Sequence, residues 1–313
     1  MKRYLVRQAG TVLASLLVLV IATFAIVQLI PGDPARAVAG VDASQEQVEQ
    51  VRENLGMNKP LFVQFMTYLH GLITGNLGRS FRTNEAVTDI IATRLPYTAG
   101  VALLAIILTF IAATLFGATV AIGTYANKRK WLDSSFNWFT GLVASVPEYV
   151  SAAVLVAIFA ITLHLFPAAG AESVSSWVLP TIALSLAPTC TVSRVVRREM
   201  SRILTEDYMR TARGWRIGTI KLYAKYALPN AMVSTLTLSG LVLTGMLGGA
   251  IIMENVFAWP GMGRAVVEAI LTKDFPVIRG IVMVLGIIAI LLNTIIDISL
   301  RLIDRRILQE NRG

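Results

Sequence analysis

Residues 205–231 read TEDYMRTARGWRIGTIKLYAKYALPNA, a polar and basic stretch set between long apolar segments. It opens with a helix-start signal. Thr205 can serve as N-cap, and Glu206 and Asp207 fall in the first turn, where the helix dipole favours negative charge. Tyr208, Thr211, Ala212 and Trp215 recur at the i, i+3, i+4, i+7 spacing of one helix face. Arg210 and Arg213 point elsewhere, and Glu206 stands four residues before Arg210, in register for a helix pair. Gly214 and Gly218 are stop points. The stretch predicts a short amphipathic helix in a loop between membrane segments, with a small-and-aromatic face. Two uses fit such a face: lying on the membrane surface, or docking onto another protein.

The flanks are those of a membrane protein. Of 313 residues, 55% are hydrophobic and only 15% charged, a balance that points to multiple spans. The single cysteine, Cys190, excludes an internal disulfide framework and a cysteine-rich metal site. Two histidines, His70 and His164, leave little for histidine-based metal or acid–base chemistry. The start MKRYLVR followed by an apolar run has the look of a signal peptide. Its uncharged stretch, Ala9 to Ile30, is too long for an h-region, and no A-x-A site follows, so it reads as an uncleaved first span.

Taking about 20 apolar residues per crossing, six spans are predicted. They are Ala9–Ile30, a segment within Leu95–Asn127, Phe136–Phe166, Trp177–Val196, Ala231–Met253 and Val277–Leu300. Pro147 and Glu148 interrupt the third, and Pro180 and Pro188 lie inside the fourth. Prolines are tolerated in membrane helices because neighbours can satisfy the freed backbone groups. Nineteen of the 28 Lys and Arg fall on one side: before span one, between spans two and three, in the loop after span four and in the tail. The positive-inside rule therefore predicts that both termini and the 194–228 loop are cytoplasmic. The net charge of +9 is then mostly topological, and not a nucleic-acid footprint.

Between spans one and two the chain is polar. Pro31-Gly32-Asp33-Pro34 cannot continue a helix. Ser44 with Gln47 forms a capping box, and Val48, Val51 and Leu55 make a helical stripe that Gly56 ends. Pro60 starts a second helix with Phe62, Phe65, Met66 and Leu69 at helical spacing. Gly71, Gly75 and Gly78 mark turns before Phe81. Residues 31–94 thus predict a small helical extracytoplasmic insertion, followed by a membrane core over 95–303 and a cytoplasmic tail over 304–313.

Recognisable catalytic motifs are lacking. Gly75-Asn76-Leu77-Gly78-Arg79-Ser80 has neither the lysine nor the glycine spacing of a phosphate-binding loop, and there is no H-E-x-x-H, C-x-x-C or nucleophile elbow. No catalytic or metal-ligating residue is assigned, and any energised work must draw on another chain. Glu148 is the exception among the apolar spans. It stands eighteen residues past Lys130, near mid-membrane at a rise of ~1.5 Å per residue. A carboxylate there faces a bundle interior or a wet cavity. Two readings stay open: it lines a translocation path, or it is protonated or bonded to backbone groups freed by Pro147. Ser185 and Thr189, with Cys190, Thr191 and Ser193, are path-lining candidates, with helix packing as the other reading. Gly245 and Gly249 form a G-x-x-x-G that suits close helix approach. Asp297 is in register to pair with Arg301.

The ordered motifs resemble those of the first permease subunit of bacterial ABC importers of the dipeptide/oligopeptide/nickel class. The resemblance spans nearly the whole chain. It rests on Pro31-Gly32-Asp33-Pro34, Leu55-Gly56-Met57 with Lys59-Pro60-Leu61, the Gly75–Ser80 stretch, and Arg94-Leu95-Pro96-Tyr97-Thr98. Ser145-Val146-Pro147-Glu148-Tyr149, Glu254-Asn255-Val256-Phe257, Pro260-Gly261-Met262-Gly263 and Asp274-Phe275-Pro276 continue it. Asp207–Arg213 and Tyr226–Ala231 match the family's coupling, or EAA, loop. One position departs: Arg216 stands where the family usually has glycine, with Gly218 two residues further on.

The resemblance implies an all-α integral membrane fold, a type I ABC importer permease of six transmembrane helices in the bacterial cytoplasmic membrane. It implies that Glu206, Asp207, Tyr208, Met209, Arg210, Thr211, Ala212, Arg213, Gly214 and Trp215 form a helix docking on an ATPase subunit. The implied partners are a homologous second permease, two ATP-binding subunits that hold ATP and Mg, an extracytoplasmic substrate-binding protein, and membrane lipid. The implied cargo is di- or oligopeptides, with nickel complexes, glutathione or another small solute as alternatives. A stand-alone channel or secondary transporter would not need a docking helix, and a membrane scaffold would have no use for Glu148.

Overall fold

The computed structural model describes residues 2–29, 33–40, 42–54, 56–127, 129–215 and 217–303. Thirteen α-helices follow in order: α1 Lys2–Leu29, α2 Pro34–Ala39, α3 Gln45–Asn54, α4 Leu61–Thr74, α5 Val87–Gly123, α6 Lys130–Ser145, α7 Glu148–Leu155, α8 Val178–Leu204, α9 Asp207–Gly214, α10 Thr219–Lys221, α11 Leu228–Val256, α12 Met262–Thr272 and α13 Phe275–Ile303. Among the described residues the only β feature is an isolated bridge between Arg79 and Ala86. Among the described residues, four helical segments are long and apolar enough to cross a membrane: Arg7–Ile26, Val87–Gly123, Val174–Leu204 and Phe275–Ile298. The pair Lys130–Ser145 and Glu148–Thr162 makes a fifth if its two halves, bent by 96°, count as one span. α11, 29 residues long, covers the fifth predicted span, though many of its side chains lie outside the described set.

The chain divides into two compact units. One comprises Met1–Thr98 and Pro260–Thr294, the other Ala99–Trp259 and Ile295–Gly313. In the first, the polar segment after α1 forms helices because its caps are satisfied. Asp33 Oδ1 accepts from Ala35 N at 3.0 Å, while Ser44 and Gln47 exchange bonds of 2.9 and 3.3 Å. Arg52 ties α3 back to Asp33 at 2.5 Å. The core of this unit gathers Val87, Ile91, Met262, Val266, Phe275 and Ile281. Between the fifth and sixth predicted spans, α12 is an amphipathic helix that buries Met262, Ala265, Val266 and Ala269. Asp274, just before α13, accepts from Ser80 Oγ (2.5 Å) and Phe81 N (3.1 Å).

In the second unit α8 is central, contacting α6, α7 and α11. Gly117 lets α5 approach α8, since a Cβ there would stand 2.5 Å from Ser193 O and 2.7 Å from Val196 Cβ. Several expectations change. Arg194, Arg197, Arg198 and Arg202 belong to α8, not to a loop, because charge ends an apolar span without ending the helix. Arg197 uses its place there to pair with Asp133 of α6 at 2.5 Å. α5 begins at Val87, well before Leu95, and carries Pro96 inside. The third span is broken as expected, at Val146-Pro147, where Val146 is extended. The predicted Asp297–Arg301 pair and the tail fall outside the described residues, because the Arg301 side chain is not among them.

Candidate coupling site and translocation path

α9 spans eight residues, Asp207–Gly214, a little over two turns. Its N-cap is Glu206, not Thr205: Glu206 is extended and its carbonyl accepts from Met209 N and Arg210 N at 3.0 and 3.2 Å. Thr205 instead closes α8, its hydroxyl donating to Arg202 O at 2.7 Å. The predicted Glu206–Arg210 pair is replaced by Arg210–Asp207 (3.4 Å) and Arg202–Glu206 (3.8 Å), exposed pairs that add little stability. Helix α9 stops at Gly214, and Trp215 N donates to Thr211 O at 3.1 Å. Arg216 lies outside the described residues.

The helix is two-faced, but not as its spacing suggested. Met209 (0% exposed) and Ala212 (6%) turn into a core with Met200, Ile203, Leu204, Leu222, Ala227 and Ala231. Tyr208, Thr211 and Trp215 stay outside, Trp215 at 76% exposed, joined by Ile220 at 85%. Asn230 Nδ2 donates to Tyr208 Oη (3.2 Å) and to Tyr226 O (2.9 Å). The two halves of the sequence motif, Asp207–Arg213 and Tyr226–Ala231, are thereby held together.

Arg213 faces inward. One guanidinium nitrogen donates to Tyr125 Oη at 2.5 Å, the other to Leu204 O at 2.8 Å, and the guanidinium carbon lies 4.3 Å from the Tyr125 ring centroid. It satisfies a carbonyl at the end of α8, one of the four that every helix leaves unpaired. Tyr125 carried no signal in the sequence, standing alone after a long apolar run. Glu206, Asp207, Arg210, Thr211 and Gly214 lie at the surface.

Glu148, at the N-terminus of α7, is half-buried against α11. A Cβ on Gly249 would overlap its carboxylate. Val150 N and Ser151 N bond to Pro147 O (3.0 and 3.1 Å), and no hydrogen bond reaches the Glu148 carboxylate among the described residues. The backbone-bonded reading of Glu148 is therefore not what the geometry gives. Gly245, the other half of the G-x-x-x-G, has nothing within 4 Å of a Cβ. Ser185 is buried and its hydroxyl donates to Ile182 O at 3.0 Å, within its own helix. Thr189 is half-buried on the same helix. Glu148, Ser185 and Thr189 thus sit on adjoining helices of one unit, and of the three only Ser185 has its side chain committed to a hydrogen bond among the described residues. Among the described residues no group of three or more His, Cys, Asp or Glu could hold a metal ion.

The chain thus pairs an exposed aromatic loop helix, braced from within, with a helical bundle that holds a broken span. The chain belongs to the binding-protein-dependent transport system inner membrane component family, which it matches over residues 113–309. Residues 1–102 match the N-terminal part of such membrane components. It is a permease subunit of a binding-protein-dependent ABC importer, a multi-pass inner-membrane protein working with a substrate-binding protein, an ATPase and another permease. Among its relatives is a protein of Brucella abortus (strain 2308) provisionally named as a peptide transport system permease. It is 35% identical over 98% of this chain and 99% of its own length. A glutathione transport system permease protein of Salmonella paratyphi A is 33% identical over 95% of this chain and 96% of its own.

Proposed function

We propose that this chain is one of two homologous permeases in an importer of di- and oligopeptides, and that ATP hydrolysis reaches it through α9. The observation that carries the cargo reading is the pair of full-length relatives named for peptide and for glutathione, itself a tripeptide. Nickel complexes or another small solute are the competing cargo. In this reading two ATPase subunits hold ATP and Mg, residues 31–94 lie outside the cell and meet the binding protein, and both termini are cytoplasmic. The exposed Tyr208–Trp215 face supports docking, since solvent-exposed aromatics are the usual anchors of protein interfaces. Closure of the ATPases displaces α9, and rigid packing of Met209 and Ala212 against the end of α8 carries the motion to the bundle. Coupling then requires that α9 bind its partner differently in the two states.

The test is transport by the complete complex in vesicles, with its binding protein supplied. Dipeptides or glutathione that raise ATP hydrolysis and accumulate inside support the reading. Accumulation of a nickel complex with no response to any peptide overturns it.

A further inference from the structure

The first unit holds a cavity of about 430 Å³ lined by α3–α4 linker residues, one face of α4, the start of the α4–α5 linker and the first turns of α13. That is within the roughly 300–1,000 Å³ of small-ligand sites. Two of its lining residues, Lys59 and Arg279, are cationic, and among the described residues no carboxylate lines it. Arg279 lies over two rings, its guanidinium carbon 5.4 Å from the centroids of both Phe24 and Tyr68. Its Nε is buried without a hydrogen-bond partner. Neither Arg279 nor Lys59 has an ion pair among the described residues. Nearby, Asn76 Oδ1 accepts from Gly78 N at 3.0 Å, which leaves its amide nitrogen as a donor at the cavity wall. A guanidinium withdrawn from water without a counter-charge is costly. An oxyanion in the pocket would supply the missing counter-charge.

Its depth points to the source of that anion. α4 packs on α1 through an edge-on Phe24–Phe65 contact (5.3 Å between centroids) and a Thr23–Tyr68 hydroxyl bond of 2.9 Å. Thr23 and Phe24 stand in the last turn of the apolar segment Arg7–Ile26, the end at which a span of that length would reach the headgroups. The opposite face of α4 exposes Phe62, Met66 and Ile73 at helical spacing, the pattern of a helix lying in the membrane interface. We propose that this cavity binds the phosphate of an anionic phospholipid headgroup, between Arg279 and Lys59. A zwitterionic headgroup would bring its own ammonium to two cations, so lipids with net negative charge are selected. The proposal is independent of which solute the importer carries.

The test uses the purified full complex, exchanged into detergent and titrated with phosphatidylglycerol or phosphatidylcholine, with bound lipid read by native mass spectrometry. The wild type is expected to prefer phosphatidylglycerol, and Arg279→Gln to lose that preference by tenfold or more. Lys59 is exposed, so Lys59→Gln keeps the test open if Arg279→Gln fails to assemble, and it is expected to weaken the preference severalfold. An unchanged preference in both variants overturns the proposal. Displacement of the lipid by soluble glycerol phosphate, or by a peptide with a free but not an amidated C-terminus, also overturns it and assigns the pocket to a soluble anion. Import of peptides by the wild type is measured separately, so failure of the cargo reading and failure of the lipid site give different results.

Discussion

The Glu148 carboxylate occupies the space in which a side chain at position 249 would begin: a Cβ built on Gly249 overlaps Oε2 of Glu148. The break at Val146-Pro147 starts a new helix at Glu148 and aims its first side chain at α11, and the missing Cβ at 249 gives that side chain room. Neither residue explains the arrangement alone. Together they place an uncommitted acid between two helices of the bundle.

Gly249→Ala is expected to destabilise the subunit only slightly, by less than about 1 kcal/mol, because the atoms it meets are the far end of the flexible Glu148 side chain and Ala regains up to about 1 kcal/mol over Gly inside a helix. Because the colliding group is the Glu148 side chain, Glu148→Ala combined with Gly249→Ala is expected to recover most of that loss. Thermal stability of the purified complex for the four members of the cycle checks this. Additive losses would mean that the two side chains do not share the space.

Glu148→Gln keeps the shape and removes the charge. If the acid serves the transport path, uptake falls while complex yield and basal ATPase activity hold. Uptake kinetics equal to wild type would remove Glu148 from the path and leave it a packing residue.

Docking is tested from the outer face of α9. Trp215→Ala removes an exposed aromatic without opening the core. Loss of an interface anchor of this kind costs about 2 kcal/mol or more, roughly thirtyfold in affinity. ATPase recovery on the purified permease pair is expected to fall by that factor, with permease stability unchanged. Met209→Ala is the contrasting variant: its side chain is wholly internal, so it is expected to cost about 2–5 kcal/mol of subunit stability. If Trp215→Ala leaves ATPase recovery intact, docking does not use this face.

That contrast marks what the sequence could and could not convey. Helical periodicity located α9 within a residue or two, because spacing reports which side chains share a face. It could not say which apolar face turns inward, since a docking face and a core face draw on similar residue types. Spacing puts Ala212 on one face with Tyr208 and Trp215, yet it packs with Met209 against the end of α8. The capping box at Ser44 and Gln47 was legible because both partners lie within one turn. The contacts of Arg213 with Tyr125, and of Glu148 with Gly249, were not, because they join residues about ninety or more positions apart and no local pattern encodes them.

Arg213 ties α9 to both Tyr125 and Leu204 O. Arg213→Lys retains the charge but cannot make both bonds from a planar fork. It is expected to lower uptake per ATP hydrolysed severalfold while ATPase recovery stays near wild type, because the docking face is untouched and only its bracing is lost. Tyr125→Phe removes one hydrogen bond, worth about 0.5–1.5 kcal/mol, and keeps the ring beneath the guanidinium, so it is expected to be the milder variant. The check is the ratio of transported solute to hydrolysed ATP in vesicles. A ratio unchanged in Arg213→Lys would show that this brace is not needed to transmit the motion of α9.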